Sequence, residues 1–193
     1  MKIFQDILNS ASSKALNRLH SHGVHILDGV KIHLATFSDC SYCLGYDPED
    51  PVEIHVNGMR LSEAVISKSS REAMTEFLVH ELGHAFLFML WNTSGSTRPW
   101  DAVLTYEERQ EFISLFGDYH SDGEGYKHRV SDTLRSILGM KPREFDRTRF
   151  ASLYAVCSPH EDWAETFAYF IMGKPTPREK REYVEKLIAK YGR

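Results

Sequence analysis

The stretch Phe77-Leu78-Val79-His80-Glu81-Leu82-Gly83-His84-Ala85-Phe86 holds three side chains with the types and spacing for metal-assisted hydrolysis. His80 and His84 are four residues apart, and on a helix that spacing sets both imidazoles on one face, one turn apart. Two neutral imidazoles so placed can share a zinc ion. Glu81 follows the first histidine directly and reaches the same side, where a carboxylate can take a proton from a water at the metal. The pattern is H-E-x-x-H. The competing explanation is a core helix with two hydrogen-bonded histidines, and the local context favours the metal.

That context is a well-signalled helix. Ser69 with Glu72 three residues on fits a capping box, so the helix is expected to begin there and run to about Trp91. Met74, Phe77, Leu78, Leu82, Ala85, Phe86, Met89 and Leu90 carry its apolar pattern. From Leu82 onward it is apolar on almost every side, which predicts burial. Polar residues inside a buried helix need a reason. Gly83 costs roughly 1 kcal/mol against alanine in a helix, and its expected gain is close approach of another segment beside the metal.

A zinc that keeps a position open for water needs a third protein ligand. The second informative stretch runs from Ser152 to Ala168. Ser158 as N-cap and Pro159 at the first helical position predict a helix start. Glu161 and Glu165 then lie one turn apart on one face. One carboxylate can bind the metal while the other accepts the proton on the far nitrogen of a ligand histidine. Without such roles two acids at this spacing repel each other. A solvated acidic face is the alternative, but Trp163, Ala164, Phe167, Ala168 and Phe170 argue for burial of much of this helix. The extended metzincin pattern wants Gly and His after His84, where this chain has Leu87 and Leu90. A histidine ligand from His120, His128 or His160 stays open. The first two stand in loop-like sequence, and His160 points off the Glu161/Glu165 face.

H-E-L-G-H followed downstream by S-x-Y-A and E-x-x-A-E-x-F-A resembles the gluzincin metallopeptidases. The nearest likeness is to the branch of the anthrax lethal factor and Pro-Pro endopeptidase, and to related small bacterial zinc peptidases. In that branch a tyrosine seven residues before the glutamate ligand stabilises the oxyanion, and Tyr154 stands seven residues before Glu161. The resemblance thus implies Glu161 as ligand, Glu165 as the carboxylate behind a ligand, and Tyr154 as the electrophilic helper. It covers about residues 77–88 and 152–168. The gap between them is longer than the branch implies, so residues 93–150 are expected to be an insertion or enlarged lower subdomain. No specificity loop matches, so a proline preference does not transfer.

Composition bounds the remainder. The chain has 193 residues, 42% hydrophobic and 12% aromatic, enough for one domain with a real core. Its net charge of −4, from 23 basic and 27 acidic residues, carries no nucleic-acid footprint. No run of eighteen apolar residues marks a membrane span, and Met1 to Asp6 lacks a secretory h-region. The expected location is therefore cytoplasmic, with delivery into another cell as an alternative. Cys40, Cys43 and Cys157 make an odd count that suits a reducing compartment. Cys40 and Cys43 form a single C-x-x-C, expected to be two free thiols.

Other elements follow from patterning. Residues 4–20 read as a helix with Ile3, Ile7, Leu8, Ala15, Leu16 and Leu19 along one face. Val24 to Phe37 alternates as a strand, with a break at Asp28-Gly29. His20, His22, His25 and His33 crowd this region without a shared helical face and are expected to be solvated. Val52 to Val56 is a half-buried strand ending at Asn57-Gly58. Tyr42 to Tyr46 is expected at the sheet edge, where an extended peptide can pair with it, although an ordinary hairpin fits equally well. Thr105 caps a helix to Phe116. Asp118 to Gly125 imitates a calcium loop, but Arg129 stands where the bidentate Glu belongs. Val130 to Met140 reads as a short helix. Pro177 to Lys190 makes a last amphipathic helix, expected to dock on the domain rather than on a membrane.

The expected fold is α+β: a small twisted sheet on the H-E-x-x-H helix with a mostly helical C-terminal part, zincin-like. The expected layout is a single domain over 1–193, divided into 1–92, 93–150 and 151–193. The expected function is a monomeric zinc metalloendopeptidase with one Zn2+, held by His80, His84 and Glu161, acting on a protein or peptide. Glu81 is the base and Tyr154 the oxyanion donor. Two alternatives are a zinc-stabilised binding or regulatory domain and a delivered peptidase effector or toxin. Glu81 counts against the binding domain, because a structural site closes with four ligands and needs no base.

Overall fold

The computed structural model describes residues 2–35, 42–44, 53–57, 68–91, 104–117 and 147–193. Its elements are mostly helical, with one small sheet, so the fold is α+β. The chain divides into two compact units: Met1–Leu104 with Lys186–Arg193, and Thr105–Glu185.

The first unit begins with helix α1 (Lys2–Ser21). Leu8, Ala11, Ala15 and Leu19 recur every three or four residues and are its buried stripe. Ala11 replaces Leu16 in the expected face; Leu16 is only partly buried. The helix ends at Gly23, whose φ of +80° is left-handed backbone that glycine adopts without penalty.

The expected strand from Val24 is corrected here. Residues Ile26–Gly29, which include the expected break at Asp28-Gly29, form a 3-10 turn, and strand β1 is Lys31–Ala35. Val24 and Leu27 are buried. Ile26 and Val30 are only partly buried, so burial over 24–30 follows the three-residue spacing of Val24 and Leu27 and not the alternation of a strand.

Strands β2 (Tyr42–Leu44) and β3 (Glu53–Asn57) complete the sheet, in the order β1-β3-β2. β3 pairs parallel with β1 and antiparallel with β2. Its inward residues Ile54 and Val56 are fully buried. Glu53 and His55 face the other way beside His33, as period-two alternation requires. Each imidazole meets a different oxygen of Glu53, at 3.5 Å from His33 and 3.2 Å from His55.

Helix α2 (Lys68–Trp91) packs on α1 and β2. It starts one residue before Ser69, so Ser69 lies within the first turn and not at the cap. The end of the chain also belongs to this unit. Gly192 accepts from the backbone N–H groups of His25 (2.5 Å) and Ile26 (3.1 Å). A Cβ on Gly192 would sit 2.6 Å from the Gly23 carbonyl oxygen, so this contact requires glycine.

The second unit opens with helix α3 (Tyr106–Phe112), which continues as a π-helical turn over Ile113–Gly117. Thr105 and Glu108 form a reciprocal capping box, each side chain taking the other's backbone N–H. Helix α4 (Pro159–Ile171) follows the 3-10 turn Tyr154–Cys157, and Gly173 ends it at φ +70°. Helix α5 (Arg178–Tyr191) begins in this unit. The aromatic rings of Phe112, Phe116, Trp163 and Tyr183 meet at centroid distances from 4.9 to 6.4 Å and form the core. The Tyr183 hydroxyl donates to the Glu108 carbonyl at 2.8 Å, so a buried phenol is satisfied.

Docking of α5 by its apolar face holds: Tyr183, Val184, Leu187 and Ile188 are buried. No helix among the described residues is long and apolar enough to cross a membrane. The loop 118–125 that fails as a calcium site, the expected helix over 130–140 and Cys40 of the C-x-x-C lie outside the described residues.

Candidate metal centre

In the first unit, His80, Glu81 and His84 all stand on α2. Leu78, Val79, Leu82, Ala85, Phe86, Leu87 and Leu90 bury the same helix, several of them completely. His80 and Glu81 are 7% and 6% exposed, and His84 is partly buried. The two imidazoles meet edge to face, with ring centroids 4.9 Å apart. Their ligand-capable nitrogens are within 4.8 Å of one another. His84 also stacks near Phe88, at 6.4 Å between centroids.

The i,i+4 spacing has therefore delivered its geometry: two imidazoles on consecutive turns, close enough for one ion after small ring adjustments. Glu81, next in sequence to His80, shares its depth. Desolvating an imidazole pair and a carboxylate on an apolar helix is costly unless charge or hydrogen bonds meet them. Imidazole nitrogens and a carboxylate are donor types that zinc accepts, so the donor chemistry fits zinc.

In the second unit, Ser158 caps α4: its Oγ accepts from the backbone N–H of Glu161 at 3.2 Å. Pro159 takes the first turn, where its missing N–H costs nothing. The cap thus fixes the backbone at Glu161 itself. Glu161 and Glu165 are one turn apart and partly buried. Between them Asp162, Trp163 and Ala164 are buried. The solvated acidic face is thus limited; His160 is exposed on the same helix.

Tyr154 begins the 3-10 turn before α4 and is 42% exposed. Ser152 Oγ accepts from the backbone N–H groups of Tyr154 (3.1 Å) and Ala155 (3.2 Å), which sets the turn. Ala155 and Val156 pack inward with Phe150, while Tyr154 does not join that core. His120 and His128 lie outside the described residues.

Two pairings are not expected from the sequence, although His20 and His25 stand out there as solvated histidines. Lys180 lies on the buried side of α5 and donates to Asp162 of α4. His20, His25 and Asp28 converge at the end of α1. Neither has a periodic signature, since the partners come from different elements.

A family model described as "Putative zinc-binding metallo-peptidase" matches residues 66–174, more than half of the chain. The match takes in both the H-E-x-x-H helix and the Tyr154–Glu165 segment. Neither the curated proteins nor the solved structures searched contained a match.

Proposed function

The chain belongs to the zinc-binding metallo-peptidase family whose model spans residues 66–174, and from that premise we propose a gluzincin-like, zincin-fold endopeptidase in which His80, His84 and Glu161 hold one zinc. Two imidazoles and a carboxylate are a donor set that leaves the fourth position for water. The observation that carries this assignment is the imidazole pair of α2, His80 buried and His84 partly so, with the buried Glu81 next in sequence to His80.

Zinc at such a site lowers the pKa of water toward about 7 and polarises a carbonyl. Glu81 accepts the proton of the attacking water and later delivers it to the leaving amine. It has no ligand role, which frees its carboxylate to move protons. Glu165 accepts the proton on the far nitrogen of a ligand imidazole, fixing that ring's tautomer. Tyr154 donates its hydroxyl proton to the oxygen on which charge develops. Its exposure and its position directly before the cap of α4 support that role over a packing one.

The substrate is a peptide or protein. Strand β2 lies at the end of the sheet order, and an extended peptide pairing with it would gain main-chain hydrogen bonds without demanding a sequence.

Zinc analysis of dialysed protein tests the ligand set. Wild type is expected to retain about one zinc per chain and His84→Ala to lose most of it. Full retention in a His80→Ala, His84→Ala variant that also carries His25→Ala would overturn the site.

A further inference from the structure

We propose that His20, His25 and Asp28 form a second site for a divalent transition metal, built within the first unit. None of its ligands comes from the H-E-x-x-H helix. Each of the three residues offers one ligand atom, and all three atoms lie within 4.8 Å of one another. His20 Nε2 is 2.6 Å from Asp28 Oδ1. The rings of His20 and His25 stack with centroids 4.6 Å apart and planes at 27°.

The backbone holds the three positions in place. Val24 N–H returns to the Leu19 carbonyl at 3.0 Å and Gly23 N–H to that of His20 at 2.9 Å. Asp28 N–H bonds the His25 carbonyl at 3.0 Å, and His25 and Ile26 both donate to Gly192. Ligands from a helix end and a 3-10 turn are thus set by main-chain bonds and not by loose side chains, as a preorganised site needs.

Electrostatics favour a cation there. His20 is in the last turn of a 20-residue helix, at the negative end of its dipole. Asp28 adds a full negative charge. Two imidazole nitrogens with one carboxylate oxygen suit zinc, copper or nickel, whereas calcium and magnesium prefer oxygen alone. His20 and Asp28 side chains are 37% and 54% exposed, so water can fill the remaining positions and the ion exchanges with solution. Imidazole lone pairs lie in the ring plane. A shared ion therefore asks the exposed His25 ring to turn about χ2, a broad torsion. The ion then takes the place of the proton shared by His20 and Asp28.

The other histidine pair lacks this convergence, because Glu53 spends a separate oxygen on each of His33 and His55. At the His20 site a bound ion would tie the end of α1 to the turn on which Gly192 docks.

Zinc chloride titration of the full chain, followed by calorimetry and thermal melting, tests the site. The His80→Ala, His84→Ala variant is expected to bind one zinc and to melt at a higher temperature with it. Adding His25→Ala, or Asp28→Asn, should abolish both the heat and the shift. If the double variant does not fold, wild type serves: it should take two zinc ions and His20→Ala, His25→Ala only one. No binding in the folded double variant, or binding that survives loss of His25, overturns the site. A second equivalent retained by wild type carrying His20→Ala, His25→Ala does the same. Loss of the tight zinc by His84→Ala is read separately, so failure of either site leaves the other's result intact.

Discussion

Lys180 of α5 donates to the carboxylate of Asp162 on α4, with side-chain exposures of only 8% and 1%. The ammonium also donates to the Arg149 carbonyl at 2.7 Å. It lies over the rings of Phe150 and Phe116, at 4.6 and 5.1 Å. Burial pushes the Asp162 carboxyl up to about 7, against the pull of Lys180. Burial likewise pushes the Lys180 ammonium down, against the pull of Asp162. The pair joins α5 to the helix that carries Glu161.

Lys180→Met is expected to cost about 3–5 kcal/mol, because it strands a buried carboxylate. The double change Lys180→Met, Asp162→Leu should recover most of that loss, since no charge is left without a partner. Urea denaturation measures both. A single variant within about 0.5 kcal/mol of wild type, as is usual at the surface, would mean that the pair is not buried in solution.

Glu161→Ala should lose zinc almost as badly as loss of a histidine. Glu165→Ala should weaken zinc affinity by about 10–100-fold, as loss of a group that orients a ligand does. Competition with a chelator gives the ratio. If Glu165→Ala abolishes binding while Glu161→Ala does not, the two roles are exchanged.

These two glutamates were placed on their helix by sequence because the signals are local. Ser158 followed by Pro159 is a start signal complete in two residues, and the Thr105/Glu108 box is complete in four. The i,i+4 histidines are likewise legible, since one helix supplies both. What was not legible depends on partners from separate elements. Lys180 looks like one more charge on an exposed face until Asp162, eighteen residues earlier, is seen to meet it. His20, His25 and Asp28 belong to a helix end and a 3-10 turn, so no single period links them. The alternation from Val24 imitated a strand because Val24, Ile26 and Val30 are two or four apart, whereas the turn buries Leu27 from between them.

Tyr154→Phe should retain zinc and stability, because a hydroxyl on a residue 42% exposed supports no core. Its effect should fall on kcat, on the order of 10²–10³-fold, as a bond that strengthens with developing charge requires. Steady-state kinetics on any peptide that wild type cleaves separates the roles. A lower melting temperature with kcat unchanged would make Tyr154 a packing residue.

The central claim is that Glu81 moves protons for a hydrolysis that the imidazole pair of α2 supports. The most direct measurement is peptide hydrolysis by Glu81→Gln, with zinc content determined on the same sample. Glutamine keeps the shape and is neutral, so the fold and about one zinc per chain should remain. The general-base contribution disappears, with a loss on the order of 10²–10⁴-fold in kcat. A zinc-loaded Glu81→Gln protein that cleaves peptide at the wild-type rate would contradict the claim.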